Sequence, residues 1–224
     1  GFGRPGWHLE CSAMSEKNLG LPFDIHGGGM DLIFPHHENE IAQSCGAYNE
    51  NENPRKYVKY WLHNALLNMD GEKMSKSLGN ILYIRDLLKD YDGEILRLAL
   101  LSGHYRQPLN FTKDTLNQSK SNLNRLYRSL ERVDDIKVNM ENISPPDEVI
   151  APLCNDLNTS EAFAAINEIA KKIISSKDEK EKKQLKLKLM SSCRILGILQ
   201  KQSEKWLNQD KVEGNFDIGL IEKL

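Results

Sequence analysis

The sequence predicts an α/β segment followed by an all-helical segment, and three observations carry that division. Residues 1–81 mix glycine, histidine and aromatic residues with short apolar runs such as Trp61-Leu62 and Ala65-Leu66-Leu67, the texture of strands, loops and short helices. From Leu82 onward apolar residues recur at helical spacing. The string Asn142-Ile143-Ser144-Pro145-Pro146 then separates two groups of helices as a loop.

The helical elements follow in order. Ile84, Leu87, Leu88, Tyr91, Ile95, Leu96, Leu98, Ala99 and Leu101 predict a helical run interrupted by Gly93. Leu116, Leu123, Leu126, Tyr127 and Leu130 predict a second helix. A third spans roughly residues 159–175, opened by Asn158-Thr159-Ser160-Glu161, where a threonine or serine can cap and the acid suits the positive helix end. A fourth spans roughly residues 178–200, and its run Lys177-Asp178-Glu179-Lys180-Glu181-Lys182-Lys183 reads as a solvated, charge-paired face.

Composition bounds the function. Apolar residues at 39% and charged residues at 28% are ordinary for a soluble globular protein. No run of about eighteen apolar residues is present to span a bilayer, and no signal segment supports secretion. A formal net charge of −2 gives no global field for nucleic acid, so RNA contact requires a local basic face. Arg125, Arg128 and Arg132 share one face of the second helix, near Lys120, and read either as a phosphate-contacting stripe or as a solvated face. The four cysteines, Cys11, Cys45, Cys154 and Cys193, are scattered, which favours free thiols or metal ligands over a disulfide framework. The opening Gly-Phe-Gly-Arg-Pro-Gly runs straight into dense motif sequence, and Leu224 falls within an apolar-polar pattern, so a segment of a longer chain is expected.

Three features near the start describe a metal constellation. They are Cys11 in Gly6-Trp7-His8-Leu9-Glu10-Cys11, the turn His26-Gly27-Gly28-Gly29-Met30-Asp31, and Pro35-His36-His37-Glu38-Asn39-Glu40. A helix starting at Pro35 puts His36 and Glu40 one turn apart on one face, within reach of one ion. A thiolate from Cys11 could make a third ligand, and thiolate, imidazole and carboxylate together suit zinc. The same spacing also describes a solvated helix start beside a buried cysteine. A second feature, Asp70-Gly71-Glu72-Lys73-Met74-Ser75-Lys76-Ser77-Leu78-Gly79-Asn80, sets two lysines between glycines, where ammonium groups can meet nucleotide phosphates.

Lys-Met-Ser-Lys-Ser is the signature loop of the Rossmann-type (class I) aminoacyl-tRNA synthetases. Together with Gly-Trp-His-Leu-Glu-Cys-Ser-Ala-Met and His-Gly-Gly-Gly-Met-Asp-Leu-Ile-Phe-Pro-His-His-Glu-Asn-Glu, it resembles the cysteinyl branch of that family. The resemblance is dense over residues 4–112 and looser through Cys154-Asn155-Asp156-Leu157-Asn158-Thr159, which is similar to the family's helical domain.

The resemblance implies the C-terminal half of a Rossmann-like catalytic domain over residues 1–81, then a helical connector and a tRNA-binding helical bundle over 82–224. It implies Cys11, His36 and Glu40 as three of four protein ligands to one zinc ion that binds the substrate thiolate. Trp7 and Asp31 match substrate-binding positions, the latter meeting the α-ammonium. His26, Gly27, Gly28 and Gly29 resemble the turn at the nucleotide, and His63, with Trp61, lies in the stretch leading to the loop. Lys73 and Lys76 match the catalytic lysines, with Lys76 the stronger ATP contact. The implied activity is ATP-dependent ligation of L-cysteine to tRNA(Cys) through a cysteinyl adenylate, with magnesium assisting, in a monomeric cytoplasmic enzyme. The family's His-x-Gly-His element and the fourth zinc ligand do not occur among these residues, so the segment alone is expected to be inactive and to hold zinc weakly. The competing readings are the related cysteine ligase of mycothiol synthesis and a non-catalytic, RNA-binding synthetase paralogue.

Overall fold

A computed structural model describes residues 3–48, 53–69, 71–73 and 81–212, and the chain divides into two compact units. The first comprises residues 1–66 with 105–108, and the second residues 67–104 with 109–224. This packing division does not coincide with the change of texture at residue 81. The cause is strand pairing: β3 (Leu67–Met69) pairs with β4 (Glu72–Lys73) and, in parallel, with β5 (Leu109–Asn110), which draws residues 67–73 into the second unit.

In the first unit, α1 (Trp7–Leu19) precedes β1 (Phe23–Gly29), and α2 (Glu38–Ala47) leads to β2 (Val58–Asn64). The two strands are parallel, with Ile25 opposite Tyr60, His26 opposite Trp61 and Gly28 opposite His63. Parallel neighbours require a crossover connection, which α2 and its flanking turns supply. Alternation along a strand then sorts the side chains. Ile25 and Tyr60 stand 64% and 69% exposed on one face, while His26, Trp61 and His63 gather on the other. The unit's core is small, built on Phe23, Cys45, Tyr57 and Val58 with Leu21, Ile41 and Trp61 against them.

The second unit owes its core to helices α3 (Ile84–Leu87), α4 (Gly93–Leu101), α5 (Lys113–Glu131), α6 (Asp147–Cys154), α7 (Thr159–Ser175), α8 (Glu179–Leu196) and α9 (Ser203–Val212). Leu116, Leu123, Leu126, Tyr127 and Leu130 form the buried stripe of α5, which packs on α4, α7 and α9. The expected run from Ile84 to Leu101 is two helices, because Asp92 caps a new start by accepting from the Glu94 amide. The cap of α7 is Asn158, whose side chain accepts from the Glu161 amide, in place of the expected threonine or serine. The helix expected to reach residue 200 stops at Leu196, because Gly197 takes the left-handed conformation (φ 69°) that closes a helix end.

Two buried polar nodes tie distant parts of this unit together. The Glu94 carboxylate accepts from the backbone amides of Leu199 and Gln200, at 2.8 and 3.0 Å, and from the Tyr127 hydroxyl at 3.0 Å. The Lys186 ammonium donates to the carbonyls of Val133 and Ile136, at 2.8 and 2.9 Å, satisfying groups just past the end of α5. Among the described residues no helix is long and apolar enough to cross a membrane.

Candidate metal centre and active site

Cys11 sits one turn into α1, on the same side as Trp7. The Trp7 ring stacks on His36, with centroids 4.0 Å apart and planes at 30°, while 60% of Trp7 stays exposed. The chain is extended at Phe34 (φ −129°, ψ 134°) and helical immediately after it, so His36 and Glu40 lie one helical turn apart as expected. Both are buried, Glu40 fully. Donor atoms of Cys11, His36 and Glu40 all lie within 4.8 Å of one another.

These donors leave one another only partly satisfied. His36 Nε2 lies 2.7 Å from Glu40 Oε1, yet Oε1 and His36 Nδ1 are buried with no hydrogen-bond partner. Such orphaned groups are costly unless something else satisfies them. Two nitrogen and oxygen donors face each other beside a thiol, a donor set that fits zinc. Burial first, and the Glu40 carboxylate second, push the Cys11 thiol above its usual range, while a hydrogen bond from Trp7 pulls the other way. A cation held by these residues would reverse that balance and favour the thiolate.

A second cluster adjoins the first. His26, His37 and Glu40 also hold donor atoms within 4.8 Å of one another, and His26 Nε2 lies 3.3 Å from Glu40 Oε2. His37 Nδ1 and His63 Nε2 are 2.8 Å apart, and the Trp61 and His63 rings stack with planes at 8°. Burial, then the neighbouring imidazoles, lower the His37 pKa to about 4. Burial also holds His26 below its usual range, against the pull of Glu40.

The glycine turn has a steric reason. A Cβ at Gly28 would stand 2.7 Å from His37 Cε1, and one at Gly27 would stand 3.3 Å from the Leu62 carbonyl oxygen. Asp31 follows in the turn after β1, exposed, with its carboxylate where a Gly29 Cβ would lie. Lys73 ends β4 in the second unit, and Lys76 lies outside the described residues.

Sequence reasoning missed Tyr57, fully buried, whose hydroxyl donates to Glu40 Oε2 at 2.8 Å. No motif marks it, and its position just before an apolar strand reads as core.

Residues 1–121 match the family model for the class I (C) tRNA synthetase catalytic domain. This chain belongs to that synthetase family. Residues 148–200, which hold most of α6 and all of α7 and α8, match the DALR domain. Among the curated relatives that carry the name cysteine–tRNA ligase, two illustrate the similarity. One, from Parvibaculum lavamentivorans, is 46% identical over all of this chain and 47% of its own length. The other, from Paramagnetospirillum magneticum, is 49% identical over 92% of this chain and 44% of its own length. The chain thus spans about half the length of the curated relatives it matches. The LeuRS of a ternary complex with tRNA and LeuAMS from Agrobacterium radiobacter covers 80% of this chain, and 26% of its own, at a TM-score of 0.57 and 19% identity. That similarity shows the synthetase fold.

Proposed function

We propose that this class I synthetase chain is part of a cysteine–tRNA ligase, joining L-cysteine to tRNA(Cys) at the expense of ATP. The convergence of Cys11, His36 and Glu40 carries the reading. These residues would hold zinc, which when bound supplies a direct bond to a substrate thiolate. Serine is nearly isosteric with cysteine, and a shaped pocket alone would reject it poorly. A thiol-selective donor set removes that difficulty.

The chain's own residues do the rest. The exposed Trp7 ring, anchored on His36, gives an apolar wall for the substrate side chain. Asp31 offers a carboxylate to the α-ammonium. His26, Gly27, Gly28 and His63 line the approach to the nucleotide at the ends of β1 and β2, where open α/β sheets bind ligands. Lys73 and Lys76 meet the phosphates of ATP, which magnesium accompanies. The cysteine carboxylate attacks the α-phosphorus, the α–β anhydride bond breaks, and pyrophosphate leaves. A ribose hydroxyl at the tRNA terminus then attacks the acyl carbon, giving up its proton as AMP departs. In this reading residues 1–81 carry specificity and the signature loop, and residues 82–224 form the connector and tRNA-binding bundle. The relatives' names favour tRNA over an amino sugar as acceptor.

The test is Cys11→Ser in the full-length protein, followed by zinc content and cysteine-dependent ATP–pyrophosphate exchange. Both are expected to fall together. Full zinc occupancy with unchanged discrimination against serine overturns the assignment.

A further inference from the structure

We infer that Tyr57 is a positioning residue for the metal centre, fixing through its hydroxyl which way the Glu40 carboxylate faces. The inference rests on the proposed metal site and adds a residue that no motif assigns. Tyr57 lies directly before β2, seventeen residues beyond Glu40, with none of its surface exposed. Its hydroxyl donates to Glu40 Oε2 at 2.8 Å, on the side of the carboxylate away from His36. A carboxylate is planar and rigid, so holding Oε2 also sets the direction of Oε1, the atom 2.7 Å from His36 Nε2.

The phenol is itself held. The Tyr57 ring packs edge-on against Phe23, with centroids 5.2 Å apart. Ser12 on α1 donates its hydroxyl to the Glu40 backbone carbonyl at 3.5 Å, so α1 and Tyr57 both contact the residue that carries the carboxylate. Tyr57 and Ser12 thus meet at Glu40, tying α1, which presents Cys11, to α2, which carries Glu40 just after the turn that holds His36. Groups that hydrogen-bond to ligating carboxylates orient them, and their removal commonly lowers metal affinity by about 10–100-fold. His26 Nε2, 3.3 Å from the same oxygen, can partly replace the lost donor, which places the expected effect at the lower end.

The experiment uses the full-length protein carrying Tyr57→Phe, with zinc affinity measured by chelator competition and cobalt(II) as a spectroscopic substitute. Zinc binding is expected to weaken about tenfold, and the cobalt d–d bands to shift in energy, because the carboxylate ligand reorients. The melting temperature of the metal-free protein serves as the control for a merely structural effect. Unchanged affinity together with an unchanged cobalt spectrum overturns the inference. Should the variant fail to fold, 3-fluorotyrosine at position 57 keeps the hydroxyl. Its fluorine resonance is expected to shift with the zinc titration, and a resonance that ignores zinc overturns the inference. Failure of the metal reading is distinguishable: wild-type zinc affinity indifferent to Cys11→Ser overturns both ideas, whereas Tyr57→Phe alone bears only on positioning.

Discussion

His37 and His63 meet across two elements of the first unit, with Nδ1 and Nε2 2.8 Å apart. One imidazole must donate to the other, so the contact needs at least one ring nitrogen free of its proton. Two imidazolium rings cannot keep it.

That contact predicts an acid-sensitive fold. Burial first, and the Arg106 cation second, hold His63 below its ordinary pKa. A histidine whose folded pKa is depressed stabilises the protein fully above its unfolded value of about 6.5. The contribution is lost as pH falls from there through the folded pKa. Melting temperature is expected to decline below pH 6.5, and His63→Gln to flatten part of that decline. Proton NMR of the His63 ring checks it, with a midpoint at or above 6.5 contradicting the assignment.

Gly28→Ala is expected to destabilise the first unit. The new Cβ would stand 2.7 Å from His37 Cε1 and 3.2 Å from Leu32 Cδ1, so the imidazole must move. Overpacking of this kind costs about 1–3 kcal/mol. Thermal unfolding reads the loss, and the His63 resonance should shift as its partner is displaced. A native melting temperature with an unmoved resonance would rule out the steric account.

In the second unit, Glu94→Gln replaces one accepting oxygen with an amide that donates. Each carboxylate oxygen now accepts a backbone N–H, from Leu199 and Gln200, so one of those donors loses its acceptor. Leaving a buried group unsatisfied costs about 1–3 kcal/mol. The urea midpoint should fall accordingly. Tyr127→Phe, which removes a hydroxyl bonded to the same carboxylate, should be non-additive with it.

The arginine stripe on α5 predicts a salt dependence. Arg125 is held by Asn122 and Asn167, at 3.2 and 2.9 Å, and Arg128 and Arg132 are exposed farther along the same face. Each phosphate contact removed by Arg128→Gln or Arg132→Gln should lower the slope of log affinity for tRNA against log salt by about one. A slope that does not move would assign the stripe to solvent.

The helical unit was largely legible in sequence because its order is periodic. Leu116 through Leu130 repeat at three and four residues, and α7 occupies Thr159–Ser175 as the spacing predicts. Ends were harder, since a cap is chosen by one backbone conformation, as Gly197 and Asn158 show. The helices α1, α6 and α9 were not anticipated. In α1 the residues that matter are Trp7 and Cys11, which face a site and not a core, so apolar periodicity is weak there. The metal donors were readable by type and spacing, but the hydroxyl of Tyr57 was not. Its partner lies across a fold contact that no local pattern encodes.

The pairing of Ile25 with Tyr60 has a practical consequence for handling the protein. Two parallel strands with apolar residues facing water form an unusual surface, because parallel sheets are ordinarily covered on both faces. Strand edges and bare apolar faces are templates for unwanted association. Solutions of this chain alone should therefore scatter light increasingly as concentration rises, and Tyr60→Lys should delay that onset without altering the melting temperature of the helical unit.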